Sequence, residues 1–246
     1  MKKRTSSIFA LLLLTPLSSL AANQTIDSFS KAKKKLERDV YADHRVTLYC
    51  GAKFDAKKII TPPAGFHTDK YVKRAKKVEW EHVVPAENFG RTFVEWRDGH
   101  KSCVSNKGKD FKGRKCAEKV NKEYRYMQAD MFNLYPAIGT VNALRSNYNF
   151  TMLPDEKSDF GSCDMKIENR KAEPPESARG RIARTYLYME STYSRYSMSK
   201  SQRQLMNAWD KMYPVEQWEC ERARRITELQ GNTNSVVQSR CEVEML

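Results

Sequence analysis

Residues 77–85 read KVEWEHVVP. Its β-branched and aromatic residues alternate with charged ones, which predicts a short strand running into a turn at Pro85. Glu81 and His82 are adjacent, and neighbouring side chains on a strand point to opposite faces. We therefore expect the extended backbone to stop at His82, so that the carboxylate and the imidazole can serve one site.

The first 22 residues have the pattern of a secretory signal peptide, with a basic start, an apolar run and small residues before the cleavage point. The tripeptide KKR at 2–4 precedes the run IFALLLL at 8–14, and SSLAA follows at 18–22. The run is too short to span a bilayer. We expect cleavage after residue 21 or 22 and a periplasmic or secreted product that does not insert into the membrane.

The six cysteines all lie in the mature part of the chain. An even number of cysteines in an exported protein favours disulfide bonds over a metal cluster. Nearness in the chain favours two of the possible pairs, Cys103 with Cys116 and Cys220 with Cys241. The cysteines expected to form disulfides are Cys50, Cys103, Cys116, Cys163, Cys220 and Cys241.

Length and charge describe one basic domain. The mature chain, residues 23–246, has a length that suits a single domain with a C-terminal helical part. The full chain has a formal charge of +14, and the tripeptide KKR of the predicted signal peptide accounts for three of these positive charges. Such an excess favours polyanionic partners, and on charge alone nucleic acid, anionic lipid and envelope sugars all remain possible.

Two basic clusters flank the opening stretch in sequence. They read KYVKRAKK at 70–77 and KGKDFKGRK at 107–115. Charge that served only solubility need not cluster on both sides of one motif. The arrangement therefore supports a phosphate-binding face.

Local patterns predict a mainly helical chain with short strands. We expect a first helix over 30–43, short strands between 46 and 84, and a long loop pinned by a disulfide over 90–119. A helix is predicted over 121–131. Pro136 is placed to open the next helix at its first turn.

The last third of the chain is predicted to be helical. Ser199 begins a capping box, and Gly231 stops the final helix as a glycine C′ residue. An aromatic and apolar stripe repeats at helical spacing and is expected to face the core rather than to stack on bases. The stripe consists of Ile182, Tyr186, Met189, Tyr193 and Tyr196.

The residues best suited to polar chemistry are found in two segments. Among the four histidines, only His82 stands beside a carboxylate in an ordered segment. Glu81 offers an anionic oxygen, and Asn142, on the helix after Pro136, offers a neutral carbonyl oxygen. Together these oxygens suit a hard divalent cation that keeps most of its waters, as Mg²⁺ does.

Four segments resemble those of the endonuclease I family, secreted or periplasmic bacterial nucleases of the ββα-metal, or His-Me finger, type. The resemblance covers nearly all of the mature chain, in order. EWEHVVPA followed by NLxPAIGxVN and RSN is a specific combination. The segments are VEWEHVVPAENFG, NLYPAIGTVNALRSNYNF, EPPESARGRIARTYLYM and NAWDKMYPVEQWECERARRI.

The resemblance implies an α+β fold, mostly helical around a ββα-metal core and stapled by disulfides. It also implies hydrolysis of DNA and RNA to 5′-phosphate products with little sequence preference. The expected cofactor is one Mg²⁺ ion, with Mn²⁺ or Ca²⁺ also able to occupy the site. The expected partners are double- and single-stranded DNA and RNA, and the expected state is a monomer.

The resemblance also assigns roles to individual residues. Glu81 and Asn142 match the metal ligands, and His82 matches the general base. Arg114, in KGRKCA, matches an arginine that stabilises the phosphate or the cleaved product. One departure is Gln128, in MQAD, where relatives commonly carry a glutamate that supports the site.

Two other classes of protein share the basic composition. An exported, non-catalytic DNA-binding protein would use the same charge without needing Glu81, His82 and Asn142 together. A structural protein attached to anionic envelope polymers would not need them either. For the enzyme, an unperturbed His82 would make activity fall as pH drops below about 6.5.

Overall fold

The computed structural model describes residues 22–246. The predicted signal peptide lies outside the described residues, apart from its last position. A π-helical turn (Leu36–Val40) extends the first α-helix, Phe29–Lys35, so the helix predicted over 30–43 is confirmed as far as Val40. The α-helices are α1 Phe29–Lys35, α2 Val72–Ala75, α3 Ala86–Gly90, α4 Val94–Arg97, α5 Arg114–Val120, α6 Lys122–Gln128, α7 Gly139–Arg145, α8 Glu176–Thr192, α9 Lys200–Met212, α10 Gln217–Gln230 and α11 Ser235–Glu244.

The strands form three small sheets, so the described chain is a mixed α+β structure. β1 pairs with β2, β3 pairs with β4, and β7 lies between β5 and β6. All these pairings are antiparallel except that of β5 with β7. The strands are β1 Lys53–Phe54, β2 Ile60–Thr61, β3 Val78–His82, β4 Leu134–Ile138, β5 Asn149–Phe150, β6 Lys166–Glu168 and β7 Lys171–Glu173.

The β3–β4 pair followed by α7 positions the candidate site. β3 ends at His82, as the sequence predicted, and His82 lies opposite Leu134 in the antiparallel register. The prediction that Pro136 opens a helix is wrong. Pro136 lies in the middle of β4 opposite Trp80, and the helix begins only at Gly139.

Burial explains why Pro136 is in a strand. All five residues of β4 are buried. Pro136 has no N–H to donate, but its carbonyl accepts a hydrogen bond from Leu48 N at 2.8 Å, so its polar atom is paired. The gain from burying this apolar strand outweighs the weak local preference of proline for the first turn of a helix.

Three disulfides cross-link the described chain, one of them between distant segments. The two predicted pairs are confirmed, and the third pair was left open by the sequence. The predicted loop over 90–119 does hold a disulfide, but it also contains α4 and the first part of α5. The pairs are Cys50–Cys163, Cys103–Cys116 and Cys220–Cys241.

The C-terminal helices form much of the core. The predicted stripe is buried along its whole length, which confirms the core-facing interpretation, although its last two members follow the end of α8. Ser199 caps α9 by accepting a hydrogen bond from Gln202 N, and Gly231 ends α10 with φ +83°. Contrary to the prediction, this helix is not the final one, because α11 follows it. Within residues 22–246, no helix has both the length and the apolar character needed to cross a bilayer.

Candidate active site

The four residues assigned to catalysis and metal binding line a single cavity of about 840 Å³. Glu81 and His82 come from the end of β3, Asn142 from α7, and Arg114 from the first position of α5. These elements are far apart in sequence. The fold therefore brings together what the sequence predicted as one site.

His82 is held in one orientation and is 8% exposed. Its Nε2 lies 2.8 Å from the backbone oxygen of Gln128. A carbonyl can only accept, so Nε2 must carry the proton, and in the neutral ring Nδ1 has a free lone pair. Phe29 packs against the imidazole with ring centroids 4.8 Å apart.

The imidazole of His82 is neutral at neutral pH. Burial, aided by the positive charge of Arg114 and opposed by the hydrogen bond to Gln128, lowers the pKa of His82 to about 3. The pKa of about 6.5 in the sequence prediction assumed an unperturbed His82, and burial removes that condition. Desolvation favours the uncharged ring, and a cationic neighbour adds to that preference.

Glu81 is buried and clamped through one of its two oxygens. Arg145 Nη1 donates to Glu81 Oε1 at 2.5 Å, and the hydroxyl of Tyr49 donates to the same oxygen at 2.7 Å. Burial raises the pKa of the Glu81 carboxyl, and the Arg145 guanidinium and the Tyr49 hydrogen bond oppose that rise. Within residues 22–246, Oε2 receives no hydrogen bond, which leaves it available to a ligand.

Asn142 is half-buried, and its amide is tied to a second carboxylate of β3. Asn142 Nδ2 donates to Glu79 Oε2 at 2.8 Å. Arg74 holds the same carboxylate through Nε at 2.7 Å and Nη2 at 2.5 Å. Glu79 and Glu81 are two positions apart on β3, so both side chains leave the strand on the same face.

Arg114 is exposed at the start of α5, immediately after Gly113. In the described part of the chain, it has no carboxylate within ion-pair distance. Its positive charge nevertheless helps to lower the pKa of His82. A guanidinium in this position is free to contact a phosphate bidentately.

Gln128 takes part in the site through its backbone rather than its side chain. Its carbonyl oxygen accepts from His82, and its side chain is 1% exposed. The side-chain Nε2 is buried without a hydrogen-bond partner in the described chain. Gln128 therefore places an unpaired side-chain amide next to the backbone carbonyl that accepts from His82.

Sequence reasoning missed the residues that hold the site residues in place. Tyr49 and Phe29 carried no signal, because their contacts arise only when distant segments pack together. Arg145 stood in the RSN motif but was given no role. Glu79 could have been found from its two-residue offset to Glu81, which puts both carboxylates on one strand face.

The donor atoms in the cavity fit a hard divalent cation that keeps several waters. Glu81 Oε2 and the Asn142 side-chain oxygen are the available oxygens, and Mg²⁺ is characteristically held by one or two carboxylates plus water and phosphate oxygens. Within residues 22–246, no group of three His, Cys, Asp or Glu side chains suits a metal ion. A cluster of the zinc type is therefore absent from the described chain, while a hydrated site remains compatible with the residues present.

Comparison with known proteins identifies the family. The family model described as Endonuclease I matches residues 18–241. The chain belongs to the endonuclease I family. It is 42% identical over 222 residues to an "Extracellular deoxyribonuclease" of Aeromonas hydrophila, covering 87% of this chain and 91% of that protein.

Other relatives agree with this assignment to the endonuclease I family. A "Periplasmic deoxyribonuclease" of Aeromonas hydrophila is 39% identical, with 94% of this chain and 92% of that protein covered. "Endonuclease-1" of Buchnera aphidicola subsp. Acyrthosiphon pisum is 37% identical, with 89% of this chain and 83% of that protein covered. The chain is thus a nuclease, and the predicted periplasmic or extracellular location is confirmed.

Proposed function

We propose that this endonuclease hydrolyses phosphodiester bonds of DNA, and also of RNA, with little sequence preference and with dependence on one divalent cation, Mg²⁺ in the cell. It acts as a monomer and leaves 5′-phosphate ends. The proposal rests on one observation above all, the presence of Glu81, His82, Arg114 and Asn142 around one cavity. The β3–β4 pair and α7 would then be the ββα-metal core of the family.

His82 is the general base in this mechanism. Its unprotonated Nδ1 takes a proton from a water in line with the scissile bond, and the water oxygen attacks phosphorus as the bond to the 3′ oxygen breaks. The leaving oxygen takes up a proton from water. A positioned base contributes roughly 10²–10⁴-fold to such a step.

Burial keeps His82 neutral, but it also weakens the imidazole as a base. A phosphate group that enters the cavity brings negative charge next to the ring and to Arg114. Negative charge near a histidine favours its protonated form, so substrate raises the pKa of His82 from its low value. The site thereby becomes more basic when the substrate is present.

Glu81 and Asn142 would hold the cation, and Arg114 would contact the phosphate. When bound, the cation supplies Lewis-acid stabilisation of charge on the phosphate and on the leaving oxygen. Arg114 shares that task through charge-assisted hydrogen bonds. None of these contacts reads a base, so we expect cleavage with little sequence preference.

Both basic clusters reach the cavity and would grip the DNA backbone. Arg74 from the cluster 70–77 and Arg114 from the cluster 107–115 line the cavity wall. From α1, Lys33 and Lys34 line the same wall. Binding through phosphates should therefore weaken steeply as salt concentration rises.

Plasmid cleavage tests the proposed function. Supercoiled plasmid incubated with the protein should be degraded with Mg²⁺ and remain intact with chelator. A plasmid whose band is shifted but intact in both conditions would instead identify a non-catalytic DNA-binding protein. Total RNA in a parallel reaction tests the second substrate.

His82→Ala tests the assignment of the base. We expect a loss of roughly 10²–10⁴-fold in the rate of plasmid cleavage, with a cooperative thermal unfolding transition at a lowered temperature, because the carbonyl of Gln128 loses its partner. His100→Ala is the matched control, since His100 is exposed and lies outside the cavity. Full activity in His82→Ala would overturn the base assignment.

A further inference from the structure

The hydrogen bond between Glu79 and Asn142 limits how the asparagine can face the cavity. An asparagine amide has an oxygen on one side and an NH₂ group on the other, and turning it over exchanges the two. Glu79 is ion-paired with Arg74, and a carboxylate can only accept. Asn142 must therefore turn its NH₂ toward Glu79, which leaves its oxygen on the opposite side.

Glu79 is itself held firmly. Arg74 binds both of its oxygens, and the carboxylate lies against the start of α7. A Cβ atom at Gly139 would come within 2.9 Å of Glu79 Oε1, so only glycine leaves room for this approach. Arg74, Glu79 and Asn142 thus form a chain of contacts in which each member fixes the next.

We propose that Glu79 is a positioning residue that sets the metal affinity of the site by keeping the oxygen of Asn142 turned toward the cation. This inference rests on the proposed function, in which Asn142 is a metal ligand. Groups that orient metal ligands through hydrogen bonds commonly change metal affinity by 10–100-fold when they are removed. Glu79 itself need not touch the ion.

Glu79→Gln is the decisive substitution because glutamine can donate as well as accept, so it no longer dictates which way Asn142 faces. Mn²⁺ is titrated into the full-length mature protein by calorimetry, without DNA. We expect the dissociation constant for Mn²⁺ to rise by about 10–100-fold. Thermal unfolding without metal should stay near that of the unchanged protein.

Glu87→Gln is a closely matched control. Glu87 also lines the cavity, accepts from Arg91 and holds an asparagine amide, that of Asn147, at 2.5 Å. The substitution removes the same charge and the same kind of contact, but from an asparagine that has no proposed part in metal binding. We expect the Mn²⁺ dissociation constant to change by less than about threefold.

The exchange variant Glu79→Gln/Asn142→Asp provides a rescue. It keeps the total charge of the pair, and an aspartate presents an oxygen to the cation whichever way it turns. We expect its Mn²⁺ affinity to return to within about threefold of the unchanged protein. Equal losses in the Glu79→Gln and Glu87→Gln variants, or no loss in Glu79→Gln, would overturn the inference.

The same titration separates this inference from the proposed function. If the unchanged protein binds no Mn²⁺ and leaves plasmid intact, the proposed function fails. If the unchanged protein binds Mn²⁺ and cleaves plasmid while Glu79→Gln binds equally well, only the role of Glu79 fails. An intact fold with weak binding that the exchange variant does not restore would also overturn the role.

Discussion

Gln128 shows how one residue can support a site through its backbone while its side chain costs stability. Its carbonyl oxygen holds His82, whereas its buried Nε2 has no hydrogen-bond partner in the described chain. A buried donor left without a partner costs about 1–3 kcal/mol. The side-chain amide therefore lowers the stability, and its Nε2 makes no hydrogen bond to His82.

Gln128→Met should keep the activity and raise the stability. Methionine has a similar volume and no unpaired donor, so we expect the free energy of unfolding in urea to increase by about 1 kcal/mol. The rate of plasmid cleavage should stay within about threefold of the unchanged protein, because the backbone contact to His82 remains. A large loss of activity with an intact fold would show that the side chain acts in the site.

Single residues could be predicted from the sequence where the chemistry of the side chain itself indicates a function. Glu81 and His82 stood out because a carboxylate and an imidazole are adjacent, whereas the role of Asn142 was predicted from the resemblance to the endonuclease I family. Tyr49 did not, since a tyrosine that donates to a buried carboxylate looks like any other core tyrosine until the fold brings the two together. The low pKa of His82 was missed for the same reason, since burial is a tertiary property.

At the level of elements, Arg145 joins α7 to the end of β3. Its guanidinium is fully buried and donates to Glu81, to the carbonyl of His82 at 2.9 Å and to that of Val83 at 2.7 Å. It also lies 4.4 Å from the ring centroid of Phe150. One side chain thus satisfies the polar groups of a strand end that would otherwise be buried without partners.

Arg145→Met should strongly destabilise the protein. Removing one partner of a buried ion pair leaves the other charge without compensation, which costs about 3–5 kcal/mol. The loss is measured as a decrease in the free energy of unfolding in urea. The double variant Arg145→Met/Glu81→Gln should recover part of the lost free energy. If Arg145→Met alone unfolds with the same free energy as the unchanged protein, the buried ion pair between Arg145 and Glu81 does not stabilise the fold.

Elements were predicted well where local signals agreed with burial. The caps at Ser199 and Gly231 gave the correct ends of α9 and α10, because both act through neighbouring backbone groups. The prediction that Pro136 begins a helix was wrong because the local preference of proline for a helix start competes with the burial of β4. That burial comes from pairing with β3, some 55 residues earlier in the chain, and no local pattern reports it.

For the molecule as a whole, the Cys50–Cys163 disulfide closes by far the longest loop. Its cysteines are 113 residues apart, against 13 for Cys103–Cys116. Constraining the unfolded chain stabilises more when the closed loop is longer. The sequence left this pair open because cysteine spacing alone does not report which segments meet.

Replacing both Cys50 and Cys163 by alanine should lower the free energy of unfolding by about 4–5 kcal/mol on the chain-entropy estimate. The corresponding Cys103→Ala/Cys116→Ala variant serves as a comparison, with an expected loss of about 3 kcal/mol. The rate of plasmid cleavage should fall more in the Cys50→Ala/Cys163→Ala variant than in the Cys103→Ala/Cys116→Ala variant. The reason is that Cys50 follows Tyr49, which donates a hydrogen bond to Glu81. Equal losses of stability in urea would argue against the dependence on loop length.

Acid stability depends in part on a carboxylate paired with arginines on the same face of α10. Hydrogen bonds from Arg224 and Arg225 lower the pKa of Glu221 from 4.5 to about 2. A carboxyl group whose pKa is lower when folded binds fewer protons in the folded state, so its stabilisation is present above pH 4.5 and is lost as pH falls toward 2. A third of the side chain is exposed, and water screens the pairs.

Glu221→Gln should therefore be less stable than the unchanged protein at pH 7 by about 0.5–1 kcal/mol, with the difference vanishing near pH 2. The measurement is urea unfolding of both proteins between pH 7 and pH 2. Glu244→Gln is the control, because Glu244 is exposed and forms no ion pair in the described chain. A difference that persists unchanged at pH 2, where the carboxyl group of Glu221 takes up its proton, would show that the glutamate stabilises the helix by packing rather than by charge.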